Sequence, residues 1–166
     1  MAADPRSAEK LIATNPNARQ NYFIEEVVEA GIVLKGTEIK SIRDQSPNLR
    51  EAWVEVKGGG GAVEAWVVNL HIGHYQHGNI WNHEPMRRRK LLLHRHQIAK
   101  LHGAVMTEGL SIIPTRMYFK SGRAKLELGI GRGKKKHDKR DDLKKKSAER
   151  EMDQARKSSR SRKGSE

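Results

Sequence analysis

The last 36 residues of this chain, 131–166, hold 15 basic and 7 acidic side chains but only two large apolar ones, Leu143 and Met152. A segment of that composition cannot bury enough apolar surface to offset the entropy of ordering it. Any core must come from upstream. The 166-residue chain has 33 Lys and Arg against 20 Asp and Glu, a formal charge of +13, and the tail alone accounts for +8 of it. The expected organisation is therefore a flexible N-terminus over 1–14, a folded body over 15–130 and a basic tail over 131–166. Within the tail, Asp138 is a candidate helix cap, and Asp141–Lys145, Asp142–Lys146 and Asp153–Lys157 are i,i+4 pairs. Such pairs contribute only a few tenths of a kcal/mol each. The tail is expected to be disordered when free and helical once a polyanion neutralises it.

The body reads as strands with two short helices. Gln20–Val28 and Gly31–Lys35 are β-rich, with Gly31 as a bend between them. Gly36–Asp44 changes period, with Thr37 as the expected N-cap and Ile39 and Ile42 on one face. Glu51–Lys57 and Ala62–Ile72 alternate around a Gly58–Gly61 loop, and His94–Met106 is a second helix carrying Ile98, Leu101 and Val105. Leu110–Lys120, a Ser121–Gly122 turn and Ala124–Ile130 make a closing hairpin. Short strands without βαβ alternation predict a mainly β fold, a closed or nearly closed antiparallel barrel.

Several classes are excluded or disfavoured. The chain has no cysteine, so disulfides, thiolate metal sites and a cysteine nucleophile are absent. No apolar run is long enough to span a membrane, and Met1–Pro16 lacks the apolar segment of a signal peptide, so a soluble cytoplasmic protein is expected. His71, His74, His77 and His83 straddle Gly73 and Gly78, and no regular element orients their rings, so no metal is expected. Gly129–Lys135 fails the phosphate-loop spacing. Leu128 stands where its first glycine belongs and Lys135 where its hydroxyl belongs. A flexible glycine hinge fits that stretch better. Glu38, Glu84, Glu108 and Glu127 form no acid–base pair, and neither an enzyme nor a cofactor is expected. Arg87, Arg88, Arg89 and Lys90 abut Leu91-Leu92-Leu93, which reads as a phosphate-binding edge backed by a core strand.

Four blocks resemble one family closely. They are Glu29–Leu34 with Gly36–Arg43; Asn79 with Asn82-His83-Glu84-Pro85; Arg87–Leu93; and Gly133–Arg140. In this order and spacing they are similar to the small protein B family, the SsrA-binding proteins of bacterial trans-translation. The resemblance runs from about Asn15 to Lys144. It implies a closed six-stranded OB-like antiparallel barrel with flanking helices that binds the tRNA-like domain of transfer-messenger RNA. It also implies delivery to stalled ribosomes, with the tail helical in the vacant decoding centre and message channel. Elongation factor Tu and alanyl-tRNA synthetase would be partners only indirectly, through the RNA.

Carried over by position, the RNA-binding residues would be Asn15, Glu29, Glu38, Lys40, Ser41, Arg43, Lys90 and Leu92, to which the basic run adds Arg87, Arg88 and Arg89. The decoding-centre and channel contacts would be Gly133, Lys134, Lys135, His137, Asp138, Lys139 and Arg140. Glu29 and Glu38 cannot hold phosphates; they either accept from base amino groups and sugar hydroxyls or orient Lys40 and Arg43. For Glu38 a structural salt bridge is an equal alternative. Leu92 suits a core position better than an RNA contact, and His137 suits stacking on a base. Ser147 and Ala148 replace an aromatic that the family often carries after its Asp-Lys-Arg run. Two rivals remain: a generic OB-type single-strand binder with Tyr22, Trp53, Trp66 and Tyr118 exposed in a row, and an RNA-processing enzyme joining Glu84 to the histidines.

Overall fold

The computed structural model describes residues 9–59 and 61–162. The boundary between two compact units falls between Gly133 and Lys134. The first unit contains β1 (Glu9–Thr14), α1 (Pro16–Asn21), β2 (Tyr22–Ile32), α2 (Gly36–Asp44), β3 (Trp53–Gly59) and β4 (Ala62–Val68). A 3-10 turn (Asn79–Trp81), β5 (Arg89–Leu92), α3 (Arg95–Met106), β6 (Ser111–Lys120) and β7 (Arg123–Gly133) complete it. The second unit is one helix, α4 (Lys136–Arg162).

The fold is mainly β, as expected, but the expected closed six-stranded barrel is corrected. Among the described residues seven strands form one antiparallel sheet in the order β1-β6-β7-β2-β5-β4-β3, and its end strands are not bonded to each other. The additional strand is β1, which pairs with β6 from Glu9↔Lys120 to Thr14↔Arg116. It lies inside the stretch 1–14 expected to be flexible, of which residues 1–8 lie outside those described. An edge strand of half-exposed residues gives a weak alternation signal, which explains why it was not legible. The sheet narrows where β2 meets β5, at Gly31↔Leu92 and Ile32↔Leu91.

Local chemistry accounts for the elements. Asn15 caps α1, accepting from the Asn17 N–H at 3.0 Å, and Pro16 opens the helix where a missing N–H costs nothing. Ser121 and Gly122 both take positive φ, 51° and 73°, the conformation a two-residue hairpin turn requires. Of the expected Gly58–Gly61 loop, Gly58 and Gly59 belong to β3, and residue 60 lies outside those described. Leu70, Ile72, Leu91, Leu101, Ile112, Met117, Leu126 and Leu128 are fully buried and form the centre of the core. On α3 it is Leu101 and Ala104 that are buried.

Two glycine assignments change. Gly31 does not break the chain into two strands; β2 is continuous, and a Cβ at Gly31 would lie 3.1 Å from Leu92 Cβ, so glycine lets β5 approach. Nor is Gly129–Gly133 a hinge. These residues belong to β7, and β2 bulges opposite them between Ile24 and Glu26. A Cβ on Gly131 would stand 1.9 Å from the Phe23 carbonyl oxygen, and one on Gly129 would stand 2.9 Å from Ile24 Cδ1. The bulged strand presses on β7 where only glycine fits.

In the second unit Lys134 Nζ donates to Asp142 Oδ2 at 2.5 Å and His137 Nδ1 lies 3.1 Å from Asp141 Oδ2. Asp138 sits in the first turn and accepts from the Lys135 N–H at 3.2 Å, reaching back rather than capping directly. Residues 163–166 of the expected tail lie outside those described.

Candidate nucleic-acid interface

Helix α2 organises the site. Lys35, not Thr37, is its N-cap, and Glu38 reaches back to accept from the Lys35 N–H at 2.7 Å. The helix buries Glu38, Ser41 and Ile42 and exposes Lys40 and Arg43. Lys40 Nζ lies 5.6 Å from the Tyr75 ring centroid, and the Arg43 guanidinium lies 5.8 Å from that of Phe119. Both cations thus stand on aromatic faces with their charge toward solvent.

Beneath them is a buried ionic cluster. Arg89 Nε donates to Glu38 Oε1 at 2.7 Å, and Arg87 Nη2 donates to Glu38 Oε2 at 2.7 Å. Arg89 also donates to the carbonyls of Leu70 at 2.7 Å, Arg87 at 2.9 Å and Pro85 at 3.2 Å. Burial pushes the Glu38 carboxyl up, but hydrogen bonds from Arg87, the Lys35 N–H and Arg89 outweigh it and hold the carboxyl below its usual value. For Arg89, burial lowers the pKa and Glu38 opposes that. Of the two alternatives for Glu38, the geometry selects the structural ion pair.

The basic run is therefore not a uniform edge. Strand alternation turns Arg89 and Leu91 inward and Lys90 and Leu92 outward. Arg89 is fully buried, which corrects its assignment as an RNA contact. Arg88 is exposed and pairs with Glu55 of β3, while Lys90 Nζ donates to Glu64 Oε1 at 2.5 Å. Arg87 is partly exposed but committed to Glu38. Leu92, given a core preference by sequence, is exposed instead. It lines a cleft of about 530 Å³ with Gly31, Val33, Ile39 and Phe119, rimmed by Arg123 and Lys125.

Three other assigned residues are spoken for inside the fold. Asn15 is buried, its amide donating to the Pro114 carbonyl at 2.9 Å, and Ser41 Oγ donates to the Gly73 carbonyl at 2.6 Å. Both are buried, with these polar groups engaged within the fold. Glu29 is exposed on β2 but accepts from the Tyr118 hydroxyl at 2.5 Å and Lys120 Nζ at 3.1 Å. Burial raises its pKa, and these two donors with Lys125 outweigh that and lower it; the Tyr118 hydroxyl is pushed up by its own burial and by Glu29.

His83 is buried, one ring nitrogen 2.9 Å from Thr37 Oγ1 and the other 3.0 Å from the Ile72 carbonyl. It is a structural bridge. The exposed aromatic row of the single-strand rival does not form, since Tyr118 is buried and Tyr22 and Trp66 are half-buried. The most exposed aromatic, Trp81, was missed; its place between Gly78 and Pro85 was the available signal. Gln45, Tyr75 and Phe119 were missed as well. Gly133 ends β7, and Lys136–Arg140 form the start of α4, with Lys136, His137 and Arg140 exposed and Asp138 and Lys139 half-buried; Ser147 and Ala148, further along the helix, are exposed. Among the described residues no helix is long and apolar enough to cross a membrane.

The family model described as SmpB protein matches residues 12–158. An SsrA-binding protein of Bacillus pumilus is 50% identical over 151 residues, 91% of this chain and 94% of that one. That of Anoxybacillus flavithermus is 51% identical over 91% and 96%. A solved structure described as "tmRNA-SmpB: a journey to the center of the bacterial ribosome" has a TM-score of 0.60 and 41% identity. It covers 75% of this chain and 85% of that one. With the match running through body and tail alike, the chain belongs to the SmpB family.

Proposed function

We propose that this protein binds the tRNA-like domain of transfer-messenger RNA and carries it to stalled ribosomes for trans-translation. Half identity to SsrA-binding proteins over nine-tenths of the chain is the observation that carries the reading. The RNA meets the exposed cations Lys40 and Arg43 and the apolar cleft at Leu92, with Arg88 and Lys90 at the margin. Asn15, Glu38, Ser41 and Arg89 hold that surface in shape. The family is one of RNA-binding proteins, and this chain acts as an adaptor in the cytoplasm rather than as an enzyme.

Residues 134–166 enter the vacant decoding centre and message channel, with Lys134, Lys135, Lys139 and Arg140 on phosphates and His137 stacked on a base. Elongation factor Tu and alanyl-tRNA synthetase join through the RNA. Removing 134–166 tests this division. Binding to transfer-messenger RNA should persist while peptide tagging on stalled ribosomes is lost; tagging by the truncated protein would overturn it.

A further inference from the structure

The loop between β4 and β5 carries the least explained feature of the surface. Ile80 and Trp81, adjacent on the 3-10 turn, are 86% and 82% exposed. Exposed apolar side chains that adjoin one another mark interaction sites more often than singly exposed ones do. This tip is held firmly. The Asn82 side chain accepts from the Tyr75 N–H at 3.0 Å and donates to the Tyr75 carbonyl at 2.7 Å. The Gly78 N–H donates to the Tyr75 carbonyl at 2.9 Å and the Trp81 N–H to that of Gly78 at 3.0 Å. At its base Ser41 and Gln45 of α2 hold the Gly73 and His74 carbonyls at 2.6 and 3.2 Å, and His83 ties in Thr37. The loop is clamped along α2 and presents an indole at its end.

Its electrostatics point to the occupant. From His71 to His83 the loop contains four histidines and no acidic residue. Tyr75, the hub of the clamp, is the ring beneath Lys40. The loop is thus continuous with the exposed cations of α2, and its one carboxylate, the exposed Glu84, lies past the tip on the side leading to the basic run Arg87–Lys90. An exposed indole on a braced loop, carried next to a helix that exposes cations, is a surface on which unpaired bases of folded RNA stack.

We infer that Trp81 is a stacking platform for an unpaired base of the bound transfer-messenger RNA, with Ile80 packing against the base edge or sugar. This rests on the function proposed above. It gives Ser41 a role despite its burial, since its hydroxyl holds the loop that presents the indole.

The test titrates the full-length protein and its W81A, W81F and S41A variants with the tRNA-like domain of transfer-messenger RNA. Binding is followed by retention assay and by tryptophan fluorescence, and thermal unfolding confirms each fold. W81A should bind about tenfold more weakly with an unchanged salt slope, because a stack and not a phosphate contact is lost. W81F should stay within about threefold of the parent, since a phenyl ring still stacks. Part of the RNA-induced fluorescence quench should vanish in W81F. Wild-type affinity and an undiminished quench in the Trp81 variants would overturn the inference, as would W81A binding the RNA normally but losing tagging, which would place the partner on the ribosome. If the unmodified protein fails to bind this RNA, the proposed function itself falls.

Discussion

Arg89 Nε reaches Glu38 Oε1 over 2.7 Å at a point where neither side chain has any accessible surface. A buried pair of this kind is costly to break because the remaining charge has no water to turn to. Removing the carboxylate with E38A strands Arg89 and Arg87 together, and should cost about 3–5 kcal/mol in urea unfolding. Replacing Arg89 and Glu38 jointly with apolar residues of similar volume should cost far less than either single removal. A single E38A variant as stable as the parent would remove this pair from the framework.

The same carboxylate gives the body a pH signature. Its folded pKa lies below the ordinary value of 4.5, so the unfolded chain takes up its proton first. The stabilisation is present in full above that ordinary value and is lost as pH falls through the lower folded one. Acid titration of the unfolding free energy should show this loss, and E38Q should show a flatter acid limb.

Gly131 should tolerate no side chain. A methyl group there would meet the Phe23 backbone, which cannot swing aside, so G131A should cost about 3 kcal/mol, the upper end of overpacking effects, or misfold. At Gly129 the nearest atoms are the side-chain ends of Ile24 and Thr115, and G129A should cost about 1 kcal/mol. Thermal unfolding of the two variants orders them.

Salt dependence separates exposed from buried cations. K40Q and R43Q should each flatten the slope of log affinity against log salt by about one unit for transfer-messenger RNA. R89Q should instead lower the unfolding midpoint and leave the slope alone, because its charge never faces solvent.

The tail helix should be weakly protected. From Arg140 onward the described side chains of α4 are exposed, apart from the half-buried Asp141 and Asp142, so little side-chain burial resists its opening. Amides over 136–158 should exchange far faster than those of Leu126 and Leu128. Protection equal to the core would contradict a tail that orders only on binding.

What the sequence disclosed depended on what local chemistry could display. Period changes gave α2 its observed bounds, Gly36–Asp44, and the Ser121–Gly122 turn stands as read. The strand β1 and the helix α1 were lost because a six-residue element offers too little period, although Asn15-Pro16 was a cap signal in plain view. Gly131 was misread as freedom when it marks a collision with a strand more than a hundred residues away. The basic run misled for a related reason: four cations in a row look equivalent until the pleat turns Arg89 toward Glu38. Long-range partners, not propensities, separated the side chains that face solvent from those that hold them in place.

The position of β7 bears on how such a chain is made. The last strand synthesised lies between β6 and β2, so the β1–β6 pair has no sheet to join until Gly133 exists. Vectorial synthesis therefore cannot complete the domain piecemeal; β2 must wait, unpaired on that side, through about a hundred residues of elongation. A nascent chain released before Gly133 would leave the facing edges of β2 and β6 open to association with other chains.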